Sequence, residues 1–356
     1  NSPNPFEAVG LDLQFTVDPL SNQEQQRLED RPSFYGQPDV NVEANSLLNL
    51  ESESSSFQAE LSSDAVAIEG YEIFNVPAGN LDQTSSVVGT AVATASTDLN
   101  STLSPEQSLR LTINADGIRN SIVYGAPSLD TTIEGLGLGM AEFIPEGSEV
   151  VQARASGISS SILATNVGDD TIRATAGLAI PSLLLDNQAE PSKQFDVAAF
   201  DSSWLSSGGG DDNVHASILN EADVSFDLNG NGILESDVYL DRNSADDSSL
   251  SGFSGFRNSF VHSGSGNDKI TGSSLGSLFI TDVGDDSVDF DRVSESSIFS
   301  GIGDDVLSSS GTSLNSLFWG GLGDDQIRVE NGSGNILNGG LGQDHLTSGQ
   351  GTDTLD

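Results

Sequence analysis

The 356-residue chain has no cysteine, two lysines, three histidines (His215, His262 and His345), and 12 basic residues in all against 54 acidic ones. Without thiols there is no disulfide framework and no thiolate metal site. With so little imidazole, any bound metal should be hard and oxygen-seeking, which places Ca²⁺ ahead of zinc or copper. The shortage of bases argues against nucleic acid or an anionic membrane as a partner, because both recruit basic patches. No apolar run approaches the ~18 residues of a membrane span. Only 35% of the residues are hydrophobic and 6% aromatic, which is lean for a globular enzyme. The first residue is not methionine and the last lies inside a repeat, so a longer parent chain is expected.

What the chain does have is acid, glycine and a period. Its formal net charge is −42, with 39 glycines, and self-repulsion of that size opposes compaction unless counter-ions bind. A glycine-rich turn ending in two polar residues recurs as GSGND, DVGDD, GIGDD, GLGDD and GLGQD. Aligned on the last residue, it places Asp268, Asp286, Asp305, Asp325 and Asp344 at intervals of 18, 19, 20 and 19. Two residues after each comes Ile270, Val288, Leu307, Ile327 or Leu346. A second marker lies eight residues before the Asp, an apolar residue preceded by Ser or Asn: Phe260, Leu278, Leu317 and Ile336, with Ile298 one place late. The same marker recurs upstream at Ile122, Ile162 and Trp204, ahead of Asp130, Asp170 and Asp212. GIRNSIVYG (117–125) also echoes GFRNSFVHS (255–263), which carries the series back to about residue 108. The older copies stand 40 and 42 residues apart, so two further coils are expected at 142–151 and 182–191.

Each period holds two short apolar runs, such as SLFW (316–319) and QIRV (326–329), bounded by Gly, Asn and Ser. Runs of this kind read as strands. A strand, a turn, a second strand and a second turn make one coil, so the expected fold is an all-β, right-handed parallel β-solenoid of 18–20 residues per coil over 108–356. Ten to twelve coils spaced ~4.8 Å apart would form a rod roughly 50–60 Å long. In such a stack the repeated Asp meets its counterpart about 5 Å away, and the pair repels unless a cation intervenes; Ca²⁺ accepts six to eight carboxylate and carbonyl oxygens with tolerant geometry.

The motif Gly320–Arg328 resembles the repeats-in-toxin (RTX) calcium-binding family, the β-roll built from G-G-x-G-x-D-x-U-x nonapeptides. Gly339–Thr347 matches closely, Gly264–Thr271, Gly301–Ser308 and Gly349–Asp356 well, and the copies at Asp286 and Asp170 in part, with Asp282 and Asn166 replacing a glycine. The resemblance covers about 165–356, and weakly 108–164. It implies Ca²⁺ between consecutive coils, held by Asp268, Asp286, Asp305, Asp325, Asp344 and Asp353, with Asp212 and Asp170. It also implies Asn267, Asp285, Asp304 and Asp324 beside them, and loop carbonyls at Gly266, Gly303, Gly323 and Gly342. The family carries its motif every nine residues on both coil edges. Here it recurs every 18–20, so one calcium edge is expected, with the nine-residue step appearing only from Asp344 to Asp353.

DLNGNGILESD (227–237) resembles a second calcium loop, of the DxDxDG type. Its ligands would be Asp227, Asn229, Asn231, the Ile233 carbonyl, and Glu235 or Asp237. Val238 stands where a bidentate Glu usually closes the loop, so a plain Asn-Gly turn is the alternative. The insertion spans about 220–252.

Residues 1–107 lack the repeat and are expected to form a β-rich cap or assembly arm. LDLQFTVD (11–18) alternates like a strand, SNQEQQRLED (21–30) opens with a Ser21/Glu24 capping box, and AVAIEGYEIFNV (65–76) holds β-rich runs. No HExxH motif is present, and GSSLG (272–276) matches G-x-S-x-G only formally, because it lies inside the repeat. The expected role is therefore not enzymatic. By resemblance to haemolysin-like surface proteins of Gram-negative bacteria, cyanobacteria included, the chain reads as a secreted structural protein. It would leave the cell unfolded by a type I route, fold on external Ca²⁺, and self-assemble into a surface layer, filament or adhesive stalk. Its expected partners are copies of itself and a cell-surface polysaccharide. The alternatives are a calcium-folding passenger module of a larger toxin or enzyme and, less favoured, a polysaccharide-modifying β-helix enzyme.

Overall fold

Short runs of β-branched and aromatic residues, too brief for helices and punctuated by turn formers, pair along the chain with their own counterparts one coil away. The computed structural model describes residues 33–35, 39–50, 57–74, 85–97, 107–125, 130–142, 149–179, 194–219 and 253–356. These all fall within one unit, 33–356. Among them every strand pairing is parallel, and the chain is an all-β parallel β-solenoid. One wall is a sheet of eleven short strands running from Ser33–Tyr35 to Thr354–Leu355. At ~4.8 Å per strand it is roughly 50 Å long.

The middle residue of each short strand points inward. Ile73, Val123, Leu163, Leu205, Val261, Phe279, Ile298, Phe318 and Leu337 are all buried and in register from coil to coil. Facing them across the core are Ile133, Ile172, Val214, Ile270, Val288, Leu307 and Ile327. The last four are the aliphatic residues expected two places after the Asp, and they are inside. The apolar marker eight residues before the Asp is the neighbour of the buried residue and faces outward in most coils, Leu317 at 7% exposure being the exception. Trp204 is 53% exposed, and Ile122, Ile162, Phe260 and Leu278 are half-buried. The misplaced Ile298 therefore disappears as an anomaly, because it pairs with Phe279 and Phe318 as a core residue.

The 40- and 42-residue steps are single coils, so the extra coils expected at 142–151 and 182–191 do not exist. Val123 pairs directly with Leu163, and Leu163 with Leu205. The added length lies in two long strands per coil, such as Thr131–Glu142 and Glu149–Ser159. Each bonds only to its equivalents in neighbouring coils, and the two pack face to face as a thin fin. Of the segments read as separate coils, Glu142 ends one long strand and Glu149–Val151 open the next, and 182–191 lies outside the described residues.

The same arrangement reaches upstream of the boundary expected at 108. Phe57–Glu69 pairs with Gln107–Arg119, Asp39–Leu50 with Ser85–Thr97, and Glu72–Phe74 with Ile122–Tyr124. The described strands within 33–97 therefore stack on the later coils in parallel register, although this stretch of sequence lacks the glycine motif. The strand and helix expected at 11–18 and 21–30 lie outside the described residues.

The fin is thin because its interior is made of small residues. Ala65, Ala91, Ala93, Ala95, Ala115 and Ala155 pack with Leu109, Leu111 and Ile113. Where the fin meets the main core, the two sheets touch backbone to backbone. A Cβ on Gly117 would lie 2.5 Å from the Leu136 amide nitrogen and 2.7 Å from the carbonyl oxygens of both Gly89 and Gly157. No side chain fits there.

After Phe253–Arg257 the fin ends, and its two strands merge into one. Lys269–Leu275 pairs through its first half with Asn213–Ile218 and through its second with Phe253–Arg257. The next three pairings carry an irregularity at that joint, as between Phe290 and Val293. Phe256, Phe279 and Phe290 fill the core at the transition, with ring centroids 4.9–6.1 Å apart. This merger is why the period falls from 56 residues (Leu205 to Val261) to 18 (Val261 to Phe279).

At the corner leading into each short strand sits one residue with positive φ, then a buried serine. Asn120, Ser160, Ser202, Asn258, Glu295 and Asn315 have φ of 47–51°. The serine that follows accepts a backbone N–H from the preceding coil and donates to a carbonyl two residues back. Ser259 N donates to Ser277 Oγ, for example, which donates to Leu275 O. This ladder runs Ser121, Ser161, Ser203, Ser259, Ser277, Ser296, Ser316, Asn335. It explains the Ser or Asn of the second sequence marker: that residue, not the apolar one after it, repeats for a structural reason.

Candidate metal centre

The acidic turn follows each short strand. Its second glycine takes positive φ, 109° at Gly301 and 119° at Gly321, a conformation costly for most side chains. Asp282 occupies that place at φ 68°, where Asp is among the better-tolerated substitutes. The turn delivers two polar residues in succession, and the structure separates them into two rows running in opposite senses.

The inner row is Asp170, Asp212, Asp268, Asp286, Asp305, Asp325 and Asp344. The backbone N–H of each donates to Oδ1 of the next: Asp268 N to Asp286 Oδ1 at 2.8 Å, Asp286 to Asp305 at 2.8 Å, Asp305 to Asp325 at 2.9 Å and Asp325 to Asp344 at 3.0 Å. Asp170 and Asp212 continue it at 2.8 and 2.9 Å. The outer row is Asp130, Asp169, Asp211, Asn267, Asp285, Asp304 and Asp324, and there each Oδ1 accepts the N–H of the following coil, as from Asp285 to Asp304 at 2.9 Å. Asp130 belongs to this outer row: the step from Tyr124 is one residue longer than in later coils, so Thr131 takes the inner position.

The inner carboxyls are only half satisfied. All from Asp170 to Asp325 are 1–2% exposed, and the Oδ2 of each is buried without a hydrogen-bond partner. Burial, reinforced by neighbouring carboxylates, drives their pKa upward against the pull of a backbone N–H and, from Asp170 to Asp305, of a turn hydroxyl (Thr165, Ser207, Ser263, Thr281 or Ser300). Asp212 and Asp286 are pushed up to about 7, Asp170 and Asp325 to about 6, and Asp268 and Asp305 are raised as well. An isolated ionised oxygen in such a place costs several kcal/mol. In the two best-preserved motifs the first glycine makes room for the carboxyl, since a Cβ on Gly320 or Gly339 would collide with Asp325 or Asp344.

The sequence-derived ligands divide accordingly. Asp170, Asp212, Asp268, Asp286, Asp305, Asp325 and Asp344 share the inner row, and Asn267, Asp285, Asp304 and Asp324 the exposed outer row. The carbonyl oxygens of Gly266, Gly303 and Gly323 each press on the motif glycine of the next coil, and Gly342 closes that column. Asp353 lies on the opposite edge, where its Oδ1 continues the serine ladder by accepting from Asn335 N and Nδ2, both at 3.0 Å. Its Oδ2 is likewise buried without a partner. Asp227, Asn229, Asn231, Ile233, Glu235 and Asp237 lie outside the described residues. Among the described residues no three His, Cys, Asp or Glu side chains converge on one point, so any cation site on this edge draws on backbone carbonyls as well.

Two features escaped the sequence reading. The opposed hydrogen-bond sense of the two rows follows from backbone direction and has no signature in residue type. The basic residues gather around fin strands: Arg257 pairs with Asp196 and Asp201, Arg154 with Asp201, and Arg119 with Asp116 and Glu69. Within GSSLG, Ser274 is buried in the long-strand sheet with its hydroxyl 2.8 Å from Ser296 Oγ. Comparison with family models, with curated proteins and with solved structures found no match for this chain.

Proposed function

We propose that this chain is a secreted, calcium-stabilised structural protein that self-assembles at a bacterial cell surface, as a layer, filament or adhesive stalk. One observation carries the reading: six successive inner aspartates each bury a carboxyl oxygen that makes no hydrogen bond, with at most a turn hydroxyl such as Thr281 or Ser300 easing its charge. Stacked carboxylates of this kind suit a hard divalent cation. The inner aspartates would hold it with the outer-row residues Asp285, Asp304 and Asp324 and the turn carbonyls beside them. When bound, Ca²⁺ would supply positive charge to offset the row's repulsion and convert binding free energy into folding free energy.

The resemblance to RTX repeats belongs to the same proposal, as does export of the unfolded chain into a calcium-rich exterior. A charge of −42 keeps the calcium-free chain expanded and soluble, which suits passage through a secretion channel. The reading assigns no catalytic role, and the rigid, regular walls suit load-bearing better than turnover. Electron microscopy of the chain with millimolar Ca²⁺ and with EGTA tests it: ordered assemblies are expected only with calcium. Calcium-independent assemblies, or none in either condition, would overturn it.

A further inference from the structure

The outer face of the short-strand wall does not fit a highly acidic protein. On either side of each inward residue one side chain points out, and from Ile122–Tyr124 to Ile336–Asn338 none of these is Asp, Glu, Lys or Arg. One outward column carries Ile122, Ile162, Trp204, Phe260, Leu278 and Ile336. The other carries Tyr124, Phe299 and Trp319 among smaller residues. Neighbouring rings touch, with Trp204 and Phe260 4.9 Å apart and Phe299 and Trp319 6.1 Å apart. Val283, Ile302 and Leu322, 47–50% exposed in the adjoining turns, widen the strip.

Resting on the self-assembling reading above, we propose that this strip is the contact between two copies of the chain, packed wall to wall. Charge selects the partner. Two molecules of −42 repel wherever acidic surfaces meet; from Ile122 to Asn338 the outward columns themselves carry no acid, and the Asp282 carboxylate at their margin is held by His262 at 2.6 Å, so this face is where approach costs least. The hydrogen-bonding groups of the face, on Tyr124, Trp204, Ser206, His262, Trp319 and Asn338, are spread singly among apolar side chains, which favours a second apolar surface over a sugar chain. An area of roughly 40 by 10 Å per copy gives about 800 Å² in total before the turn residues Val283, Ile302 and Leu322 are added, the scale of a weak, concentration-dependent dimer. A face that meets itself closes as a two-fold dimer, leaving the acidic edges free for calcium.

Sedimentation in millimolar Ca²⁺ tests this with the full chain, its double variant Trp204→Ser/Trp319→Ser, and the single variant Ser206→Cys carrying a spin label. The wild type should dimerise, more tightly as salt screens the charge. The double variant should dimerise at least about tenfold more weakly with unchanged β-sheet circular dichroism. The label should lose access to a soluble relaxation agent as concentration rises, a readout that survives if the double variant misfolds. Unchanged association of a folded double variant, or an equally accessible label in the dimer, would overturn the strip while leaving self-assembly intact. A wild type that stays monomeric at all concentrations would overturn both, as would a monomer whose strip binds only a neutral glucan.

Discussion

Replacing Asp286 with asparagine separates the two demands placed on the inner row. Asp286 Oδ1 accepts the Asp268 N–H at 2.8 Å, a role that an amide oxygen performs equally well; Asn335 does so in the serine ladder and Asn267 in the outer row. The carboxylate's second oxygen is what the fold cannot satisfy. Burial raises its pKa from 3.8 to about 7. At 1.36 kcal/mol per unit this corresponds to roughly 4 kcal/mol against the ionised form, and solvent reaching the turn reduces it to about 2 kcal/mol. Asp286→Asn should therefore stabilise the calcium-free fold by about 2 kcal/mol at pH 8, less whatever the buried amide N–H loses by lacking an acceptor. In calcium the sign reverses, because the row loses a charged ligand. Circular dichroism in EGTA, where the variant should keep more β signal than the wild type, and urea denaturation in millimolar Ca²⁺, with calcium stoichiometry by calorimetry, read both effects. A variant less stable in EGTA, or one with unchanged stoichiometry, would refute the reasoning.

The same carboxyls fix how stability varies with pH. Their calcium-free folded pKa values of about 6–7 lie above the unfolded value of 3.8, so the folded state holds more protons and loses stability as pH rises from about 4 to 7. With Ca²⁺ bound, protons compete with the ion and stability should instead fall as pH drops; thermal melts between pH 5 and 8 with and without EGTA should slope oppositely. At the fin, Gly117→Ala places a methyl against three backbone atoms at 2.5–2.7 Å and should cost about 3 kcal/mol in urea denaturation; a loss under 1 kcal/mol would contradict the close sheet contact. Ser277→Ala leaves the Ser259 N–H, 3.1 Å from that hydroxyl, without an acceptor. It should cost about 1–3 kcal/mol, with faster amide exchange at Ser259 as the local check.

The residues that declared themselves in the sequence were those under the tightest chemical demand. The turn needs glycine at positive φ and acid at a fixed place, and the core needs an aliphatic two residues later, so Asp268 to Leu346 could be aligned by eye. The serine corner also left a trace, but it was credited to the apolar residue beside it. Phe260 and Trp204 repeat only because the outer face tolerates bulk, whereas Ser259 and Ser203 close a buried hydrogen bond. The early coils stayed hidden for a different reason. Their strands pair across 40–56 residues, and the intervening fin is built of Ala and Gly, whose small size serves a close sheet contact and yields no hydrophobic period. Asp130 shows the limit of counting: one extra residue after Tyr124 moves it to the outer row, a shift visible only through its pairing with Asp169.

The central claim is that the inner aspartate row cannot be held together as carboxylates without a cation. Far-UV circular dichroism of the full chain at pH 8, titrated with Ca²⁺ from EGTA to millimolar concentration, tests it most directly. The account predicts a largely unfolded spectrum in EGTA and a cooperative gain of β signal as calcium is added. The same β signal in excess EGTA as in millimolar calcium would contradict it.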